Sequence, residues 1–379
     1  MAGGLASKRS GQGSGAADGL RRRIRLMIVD DSMVARAVLS RMVEADGGFE
    51  IAGVAGTAEH AIEALGQVQV DIILLDLEMP GLGGLKSIPA IIDAARGARI
   101  LIVSSLAEEG AEATVAALAL GATDTLVKPG GGRLSGRFSD VLMQKLYAIG
   151  HASRRAPAPV ASPVPVRPAP VGRAALMPLR AMAGGPLSML MIGSSTGGIH
   201  AIGQLFEAMP KKIGCPILVT QHLPAPFMPV FARQLSAAAG REAVIAEEGM
   251  DCRPDRIIVA PGDAHVTVEL IRGNPRVRLL KGRSASGCLP SVDPMFASAA
   301  AAYGPEALGI VLTGMGRDGT EGSHKLVACG GSVVVQDEAT CAVWGMPRAV
   351  AEAGLACAIL PPQGIGVLVE ERLREAACR

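Results

Sequence analysis

Aromatic residues are scarce in this chain of 379 residues, which has one Trp, two Tyr and six Phe. Proteins that bind single-stranded nucleic acid stack its bases on aromatic side chains, so the composition disfavours that class. The net charge is only +2, with both signs interspersed, and therefore offers no strong field to a polyanion such as nucleic acid. Because 49% of the residues are apolar, the chain can build sizeable cores, and these must be largely aliphatic.

Long apolar runs and paired cysteines are also missing. No run approaches the ~18 apolar residues that suggest a membrane-spanning helix, so we expect no membrane insertion. Residues 1–23 are rich in Gly and Ser without an apolar h-region, which predicts a disordered extension rather than a secretory signal. All seven cysteines lie between Cys215 and Cys378 without a CxxC pair, which indicates reduced, mostly buried thiols in a cytoplasmic protein.

Short apolar runs alternate with helix-like segments in two separate parts of the chain. This alternation is typical of βαβ units, so we predict an α/β protein with two doubly wound domains, each with a parallel sheet. Six prolines between residues 157 and 170 predict an extended, semi-rigid spacer between the two domains. The predicted boundaries are a disordered extension at 1–23, a first domain at 24–150, a Pro/Ala-rich linker at 151–187 and a second domain at 188–379.

Charged residues follow several apolar runs of the first domain. Asp30 and Asp31 come after the first run, Asp76 ends DIILLD, and Lys128 precedes a proline. Because the ends of parallel strands meet at one edge of a sheet, these side chains should converge. A single Asp there could simply cap a helix. Three carboxylates together repel one another without a cation, and Mg²⁺ suits such oxygen ligands, with Lys128 and the hydroxyl of Ser104 placed to hold an anion beside it.

The motifs IVDDSMVAR, LLDLEMPGLGGL, VSSL and GATDTLVKP occur in this order within residues 24–150. This part of the chain resembles the receiver domain of two-component response regulators. The resemblance implies that Asp76 accepts a phosphoryl group and that Ser104 and Lys128 contact it. It further implies a Mg²⁺ site formed by Asp31, Asp76 and the backbone carbonyl of Glu78, with Asp30 assisting through water.

Thr125 departs from the receiver pattern. It lies three residues before Lys128, where the family usually has an aromatic switch residue. A threonine cannot swing a ring between buried and exposed positions. The departure therefore bears on how phosphorylation is transmitted, whereas acceptance of the phosphoryl group is expected to be unaffected.

In the second domain, MLMIGSSTGGIHAI leads from an apolar run into a helix-like segment. Within it, GSSTG at 193–197 fits the Gly-x-Ser-x-Gly pattern of a strand-to-helix nucleophile turn, although loops of this composition are common before helices. Ser195 would lie near a helix N-terminus that favours developing negative charge. A serine nucleophile also needs a base and an orienting carboxylate. The best-placed candidates are His222, which follows CPILVTQ, and Asp318 in GIVLTGMGRDG, because both follow strand-like runs.

The segment GMGRDG, residues 314–319, also matches the G-x-G-x-x-G pattern of dinucleotide-binding proteins, with Asp337 following it. Asp318 argues against this alternative because its carboxylate would face a pyrophosphate at close range. The order Ser195, His222, Asp318 also differs from the Ser, Asp, His order of common α/β-hydrolases, which disfavours a standard esterase of that fold.

The second domain resembles the bacterial chemotaxis protein-glutamate methylesterases. The matching motifs are IGSSTGGIHAI, PILVTQHLP, VAPGDAHV, PSVDPMFASAA, VLTGMGRDG and WGMPRAV, in this order. The resemblance implies that Ser195 is the nucleophile, His222 the general base and acid, and Asp318 its orienter. It also implies that the Met315 backbone N–H stabilises the oxyanion and that Thr196 supports the histidine. Small departures are Trp344 in place of a usual Tyr, and CLPSVD in place of a more basic RPSVD.

Together, the two resemblances predict a cytoplasmic, phosphorylation-controlled serine hydrolase of chemotaxis adaptation. It would demethylate glutamate γ-methyl esters on the cytoplasmic helices of chemoreceptors, release methanol, and deamidate receptor glutamines by the same route. A chemotaxis histidine kinase would be the phosphodonor, Mg²⁺ would belong to the receiver, and the ester chemistry would need no cofactor. The alternative from another class is a non-catalytic binding module that docks on receptors when phosphorylated.

Overall fold

The structure is a computed structural model that describes residues 22–104, 108–128, 136–153 and 178–377. The predicted N-terminal extension lies almost wholly outside these residues, as does most of the predicted linker. The last helix of the first domain runs to Ser153, two residues past the predicted start of the linker. The described residues form two parallel sheets flanked by helices, and one separate hairpin.

The first sheet has five parallel strands in the order β2-β1-β3-β4-β5. Its strands are β1 Ile24–Val29, β2 Phe49–Ala55, β3 Ile72–Leu75, β4 Arg99–Ser104 and β5 Asp124–Val127. The helices are α1 Met33–Glu44, α2 Ala58–Leu65, α3 Gly84–Ala94, α4 Glu108–Ala119 and α5 Gly136–Ser153. All four residues of β3 are buried, as expected of a central parallel strand covered by helices on both faces.

The second domain contains nine strands and six α-helices among the described residues. The strands are β6 Met189–Ser194, β7 Ile217–Gln221, β8 Ala243–Ile245, β9 Ile257–Val259, β10 His265–Ile271, β11 Asn274–Leu280, β12 Ala307–Val311, β13 Ser332–Gln336 and β14 Ala358–Leu360. The helices are α6 Gly198–Ala208, α7 Met228–Ala239, α8 Val292–Tyr303, α9 Thr320–Ala328, α10 Met346–Glu352 and α11 Pro362–Ala377. Seven strands form a parallel sheet in the order β14-β13-β12-β6-β7-β9-β8, so β6 lies between β7 and β12.

The antiparallel β10–β11 hairpin was not predicted from the sequence. Its two strands pair from His265 with Leu280 to Ile271 with Asn274. Both residues of the connecting turn, Arg272 and Gly273, have a positive φ, the geometry favoured in two-residue hairpins. An arginine is an unusual residue in this position, which is why the turn carries little sequence signal.

The prediction of two doubly wound α/β domains with parallel sheets is confirmed. The cores are largely aliphatic, with Phe227, Phe231 and Phe296 among the largest fully buried side chains. The six cysteines of the described residues are free thiols. None of the described helices is both long and apolar enough to cross a membrane.

Candidate active site

The predicted nucleophile turn connects β6 to α6. Gly197 adopts a left-handed conformation, with φ of 78°, and caps the start of α6. A Cβ at Gly198 would lie 2.3 Å from the side-chain oxygen of Gln221, so only glycine lets the helix approach β7 this closely. The backbone of Ser195 is held on both sides, because its N–H donates to Thr313 O at 3.0 Å and its carbonyl accepts from Gln221 Nε2 at 2.9 Å.

His222 and Asp318 are brought together at the same edge of the sheet. His222 follows β7 and Asp318 lies in the loop after β12, so the two residues flank the turn at the end of β6. His222 Nε2 lies 2.8 Å from Asp318 Oδ2. Asp318 also accepts hydrogen bonds from Ser291 Oγ at 2.7 Å and from Val292 N at 2.8 Å. These donors hold the carboxylate, which is 1% exposed, in one orientation toward the histidine.

The histidine and the aspartate shift each other's pKa in opposite directions. Burial alone would lower the pKa of His222, but the hydrogen bond to Asp318 and the neighbouring Cys288 outweigh it and raise the pKa to about 9. Burial opposes ionisation of Asp318, yet its donors, His222 first among them, hold its pKa well below the usual range. The arrangement is therefore an anionic carboxylate that stabilises a protonated imidazole, as a general base requires after it takes a proton.

Ser195 lies at this edge, although no hydrogen bond joins its Oγ to His222 among the described residues. Because Nε2 of His222 faces Asp318, Nδ1 is the ring nitrogen left for the serine. The backbone before Met315 approaches the turn closely, since a Cβ at Gly314 would lie 2.8 Å from Ser195 Cβ. Within the part of the chain described, the Met315 N–H makes no backbone hydrogen bond, as an oxyanion donor requires in the free enzyme.

Thr196 is engaged by the first domain. Its Oγ1 donates to Asp124 Oδ2 of β5 at 2.6 Å, and the same oxygen accepts from Lys145 Nζ of α5 at 2.6 Å. Next to it, Gly197 N donates to Thr123 O at 2.6 Å. The predicted support of His222 by Thr196 stays a prediction, because the hydroxyl is directed to Asp124 here.

A cavity of about 380 Å³ lies between the two domains on the side of the histidine. His222, Leu223 and Pro224 line it from the second domain. From the first domain it is lined by β5 and by residues of α5, including Phe138 and Lys145. The first domain thus covers the space beside the histidine.

The predicted acidic cluster is also assembled. Ligand oxygens of Asp30, Asp31 and Asp76 lie within 4.8 Å of one another at the ends of β1 and β3. Lys128 Nζ lies 2.6 Å from Asp76 Oδ2 and 3.0 Å from Asp30 Oδ2. Burial raises the pKa of Asp76, and Lys128 opposes this shift. Glu78 is nearby, since its N–H donates to Asp76 Oδ1 at 3.3 Å.

The remaining predicted phosphoryl contact, Ser104, ends β4 beside Lys128. Its carbonyl accepts from Lys128 N at 2.8 Å, and its fully buried hydroxyl accepts from Thr114 Oγ1 at 2.8 Å. Thr125, at the switch position, is 6% exposed, and its hydroxyl has no hydrogen-bond partner among the described residues. The hydroxyl therefore contributes no polar link at that position, although the Thr125 N–H donates to Asp124 Oδ1 at 2.7 Å.

Three residues around the site were not predicted from the sequence. Ser291, which holds Asp318, belongs to a quoted motif, but no local signal assigns it a role. Cys288 lies beside His222 and Asp318 through a loop whose path the sequence does not reveal. In the sequence, Asp124 has no feature that distinguishes it from other strand residues, because its role depends on a contact with the second domain.

The GMGRDG segment does form a strand-to-helix loop, with Gly319 capping α9 at a φ of 88°. Its Asp318 is buried and accepts hydrogen bonds from His222, Ser291 and Val292, so the carboxylate is engaged in the interior rather than placed beside a bound pyrophosphate. This geometry argues against the dinucleotide alternative.

The fold and the two sites together define a two-domain α/β protein that joins a receiver-type acidic cluster to a Ser-His-Asp constellation of the serine-hydrolase type. Comparison with family models agrees. The model described as response regulator receiver domain matches residues 26–134, and the model described as CheB methylesterase matches residues 190–369.

Curated relatives extend over nearly the whole chain. Protein-glutamate methylesterase/protein-glutamine glutaminase 2 of Caulobacter vibrioides is 40% identical over 357 residues, which cover 93% of this chain and 100% of the relative. A protein-glutamate methylesterase/protein-glutamine glutaminase 1 of Paramagnetospirillum magneticum is 37% identical, covering 89% of this chain and 93% of the relative. The crystal structure of the Thermotoga maritima CheB methylesterase catalytic domain is 34% identical, covers 49% of this chain and 98% of that chain, and gives a TM-score of 0.48. The chain belongs to the CheB methylesterase family with an N-terminal receiver domain, which confirms both resemblances seen in the sequence.

Proposed function

We propose that this chain is a protein-glutamate methylesterase and protein-glutamine glutaminase of chemotaxis adaptation, in which Ser195, His222 and Asp318 form the catalytic triad. The observation that carries the proposal is the 2.8 Å contact between His222 Nε2 and Asp318 Oδ2, beside the turn that bears Ser195. The curated relatives, which align with most of the chain, are named for the same activity.

In this mechanism, Ser195 Oγ attacks the carbonyl carbon of a glutamate γ-methyl ester while His222 Nδ1 takes the serine proton. The Met315 N–H donates to the oxyanion of the tetrahedral intermediate. His222 then protonates the departing methoxy group, which leaves as methanol and gives an acyl-enzyme. Water, deprotonated by His222, releases the glutamate carboxylate and restores Ser195. With a glutamine substrate the same steps release ammonia.

The receiver half is proposed to accept a phosphoryl group on Asp76 from a chemotaxis histidine kinase. The three carboxylates at the ends of β1 and β3 are hard oxygen donors, and they lie close enough together to share one ion. They fit Mg²⁺, which Asp31, Asp76 and the carbonyl of Glu78 would hold, with Asp30 assisting through water. The bound ion would neutralise charge on the transferring phosphoryl group. Lys128 and Ser104 would contact that group.

Control is proposed to pass along β5 to the catalytic turn. At one end of this strand, Lys128 is paired with Asp76; at the other, Asp124 holds Thr196, the residue after the nucleophile. A phosphoryl group on Asp76 draws Lys128 toward new oxygens, which disturbs β5 and weakens the hold on the turn. A preference of ~2 to 3 kcal/mol for the covered state suppresses activity about a hundredfold.

The proposed partners are the cytoplasmic helices of methyl-accepting chemoreceptors and the histidine kinase, which places the protein in the cytoplasm. Neither partner requires insertion into the membrane or contact with nucleic acid.

The first experiment measures methanol release from methylated receptor membranes by the wild type and by Ser195→Ala, each with and without a small-molecule phosphodonor. We expect release by the wild type, a rise with the donor, and none with Ser195→Ala. No release by the wild type under any condition would overturn the esterase proposal for this receptor. If Ser195→Ala kept the signalling function while Asp76→Ala lost it, the result would support a phosphorylation-dependent binding module instead.

The β5 link has its own test in Asp124→Ala, which removes the acceptor for Thr196 and Lys145. Without phosphodonor, this variant should release methanol faster than the wild type, by about tenfold for a lost charge-assisted hydrogen bond. The matched control is Glu112→Gln, which removes an exposed interdomain ion pair with Arg233. Exposed pairs contribute little, so equal effects of the two variants would contradict a specific role for Asp124.

A further inference from the structure

Cys288 lies beside the His222–Asp318 pair and has no part in the proposed reaction. It belongs to the loop before α8, and its side chain is half-buried. A ring nitrogen of His222, the Sγ of Cys288 and a carboxylate oxygen of Asp318 all lie within 4.8 Å of one another. The thiol has a contact of 4.0 Å with Ser286 O, which is too long to hold it firmly.

These three groups are the ligand types of zinc sites, namely thiolate, imidazole and carboxylate. With bonds of about 2.0–2.3 Å, tetrahedral geometry places ligand atoms roughly 3.3–3.6 Å apart. His222 Nε2 and Asp318 Oδ2, now 2.8 Å apart, would therefore separate slightly, and the Cys288 thiol, within 4.8 Å of both residues' ligand atoms, would take a similar distance from each. Rotation of the half-buried Cys288 and His222 side chains can supply this movement. Three mixed ligands including sulfur do not suit Mg²⁺, which prefers six oxygens.

We propose that His222, Cys288 and Asp318 form a binding site for Zn²⁺, and that the bound ion inhibits the esterase. Ligation uses the imidazole that the reaction needs as its base and ties up the carboxylate that orients it. Three protein ligands leave the fourth tetrahedral position to water.

The surroundings support such a site. Ser291 Oγ and Val292 N hold Asp318 from behind, and hydrogen bonds of this kind fix the orientation of a ligand around a metal. The interdomain cavity of about 380 Å³ includes His222 in its lining, so an ion has space to approach the imidazole. By contrast, the acidic cluster at Asp76 offers only oxygens, so the chain would carry a hard and a softer cation site in separate domains.

Binding is tested on the full-length protein in excess Mg²⁺, which occupies the acidic cluster of the receiver domain. Calorimetric titration with Zn²⁺ should give one tight site, and Co²⁺ in its place should give a thiolate-to-cobalt absorption band. Cys288→Ser should weaken Zn²⁺ binding by at least about tenfold and abolish the band. Cys329→Ser, which removes an exposed thiol outside the cluster, is the matched control and should change neither. Unaltered binding by Cys288→Ser would overturn the site.

The inhibitory role rests on the proposed function, whereas the binding measurement does not. As Zn²⁺ is added, methanol release by the wild type should fall, and the midpoint of this fall should match the midpoint of Zn²⁺ binding. The rate should return when a chelator is added. For Cys288→Ser, each rate is compared with the rate of the same variant without zinc. This variant should need at least about ten times more Zn²⁺ than the wild type for half-inhibition. Tight binding without loss of rate would overturn the inhibitory role alone. A wild type inactive even without zinc would count against the proposed function, while calorimetry would still decide the site.

Discussion

Asp76 and Asp318 occupy comparable positions in the two domains, yet their surroundings give them opposite properties. Both are buried and lie after a strand at the edge of a parallel sheet. Asp76 faces the like charge of Asp30, and burial raises its pKa despite Lys128. Asp318 receives hydrogen bonds from an imidazole, a hydroxyl and a backbone N–H, which hold its pKa low.

The difference shows that the role of a strand-end carboxylate depends on the donors around it. A carboxylate crowded by other carboxylates gains from a bound cation, because the cation relieves their mutual repulsion. A carboxylate surrounded by hydrogen-bond donors is a fixed negative charge that can orient a histidine. The same edge of the same kind of fold therefore supports two chemistries.

The sharpest test of this contrast is Asp318→Asn, which keeps the shape of the side chain and removes its charge. We expect kcat for methanol release to fall about 10⁴-fold, because the imidazolium loses its counter-ion and the histidine its correct tautomer. Phosphorylation of Asp76 should be unchanged. Asp337→Asn, at a half-buried position directly after β13 of the same domain, is the control, and a similar loss of kcat there would contradict the special role of Asp318.

Asp76→Asn should have the next largest effect, confined to regulation. Without the acceptor carboxylate, the phosphodonor should no longer raise methanol release, so the expected stimulation of about a hundredfold disappears. The rate without donor should stay near that of the wild type, because the catalytic edge is untouched. The measurement is the ratio of rates with and without donor, and a retained ratio would place the acceptor elsewhere.

The pH dependence should report the raised pKa of His222. Its neutral form is the base, and the hydrogen bond with Asp318 and the neighbouring Cys288 raise its pKa to about 9, so kcat/KM without phosphodonor should increase as pH rises toward 9. An exposed histidine of ordinary pKa would give a limb near 6.5. The variant His324→Gln, which changes an exposed histidine of α9, should leave the profile in place. A limb at or below 6.5 would contradict the geometry of the pair.

Thr125→Val should have the smallest effect, on stability alone. The buried hydroxyl of Thr125 has no partner among the described residues, so an isosteric apolar side chain should stabilise the chain by about 1 kcal/mol in urea unfolding. Stimulation by phosphodonor should persist, since control is proposed to pass through Asp124. Lost stimulation would show that the hydroxyl transmits the signal after all.

The sequence predicted the parallel sheets and the convergence of both sets of residues, because strand ends in such sheets necessarily meet at one edge. It could not predict the contacts that depend on loops and on domain docking. Ser291 reaches Asp318 only through the path of the loop before α8, and Asp124 reaches Thr196 only across the domain interface. The β10–β11 hairpin was missed because its turn uses Arg272 in a conformation that arginine rarely adopts.

Ser291 links the start of α8 to the position of Asp318, so the folding of this helix and the activity of the enzyme depend on each other. Its Oγ caps α8 by accepting from Asp293 N, and the same hydroxyl donates to Asp318 Oδ1. Its backbone N–H donates to His265 Nδ1, which ties this point to the hairpin. A chain whose α8 has frayed at its start has therefore also released the carboxylate of the proposed triad. On gentle heating, hydrolysis should stop before the sheet melts, so lost activity would be an early sign of local unfolding.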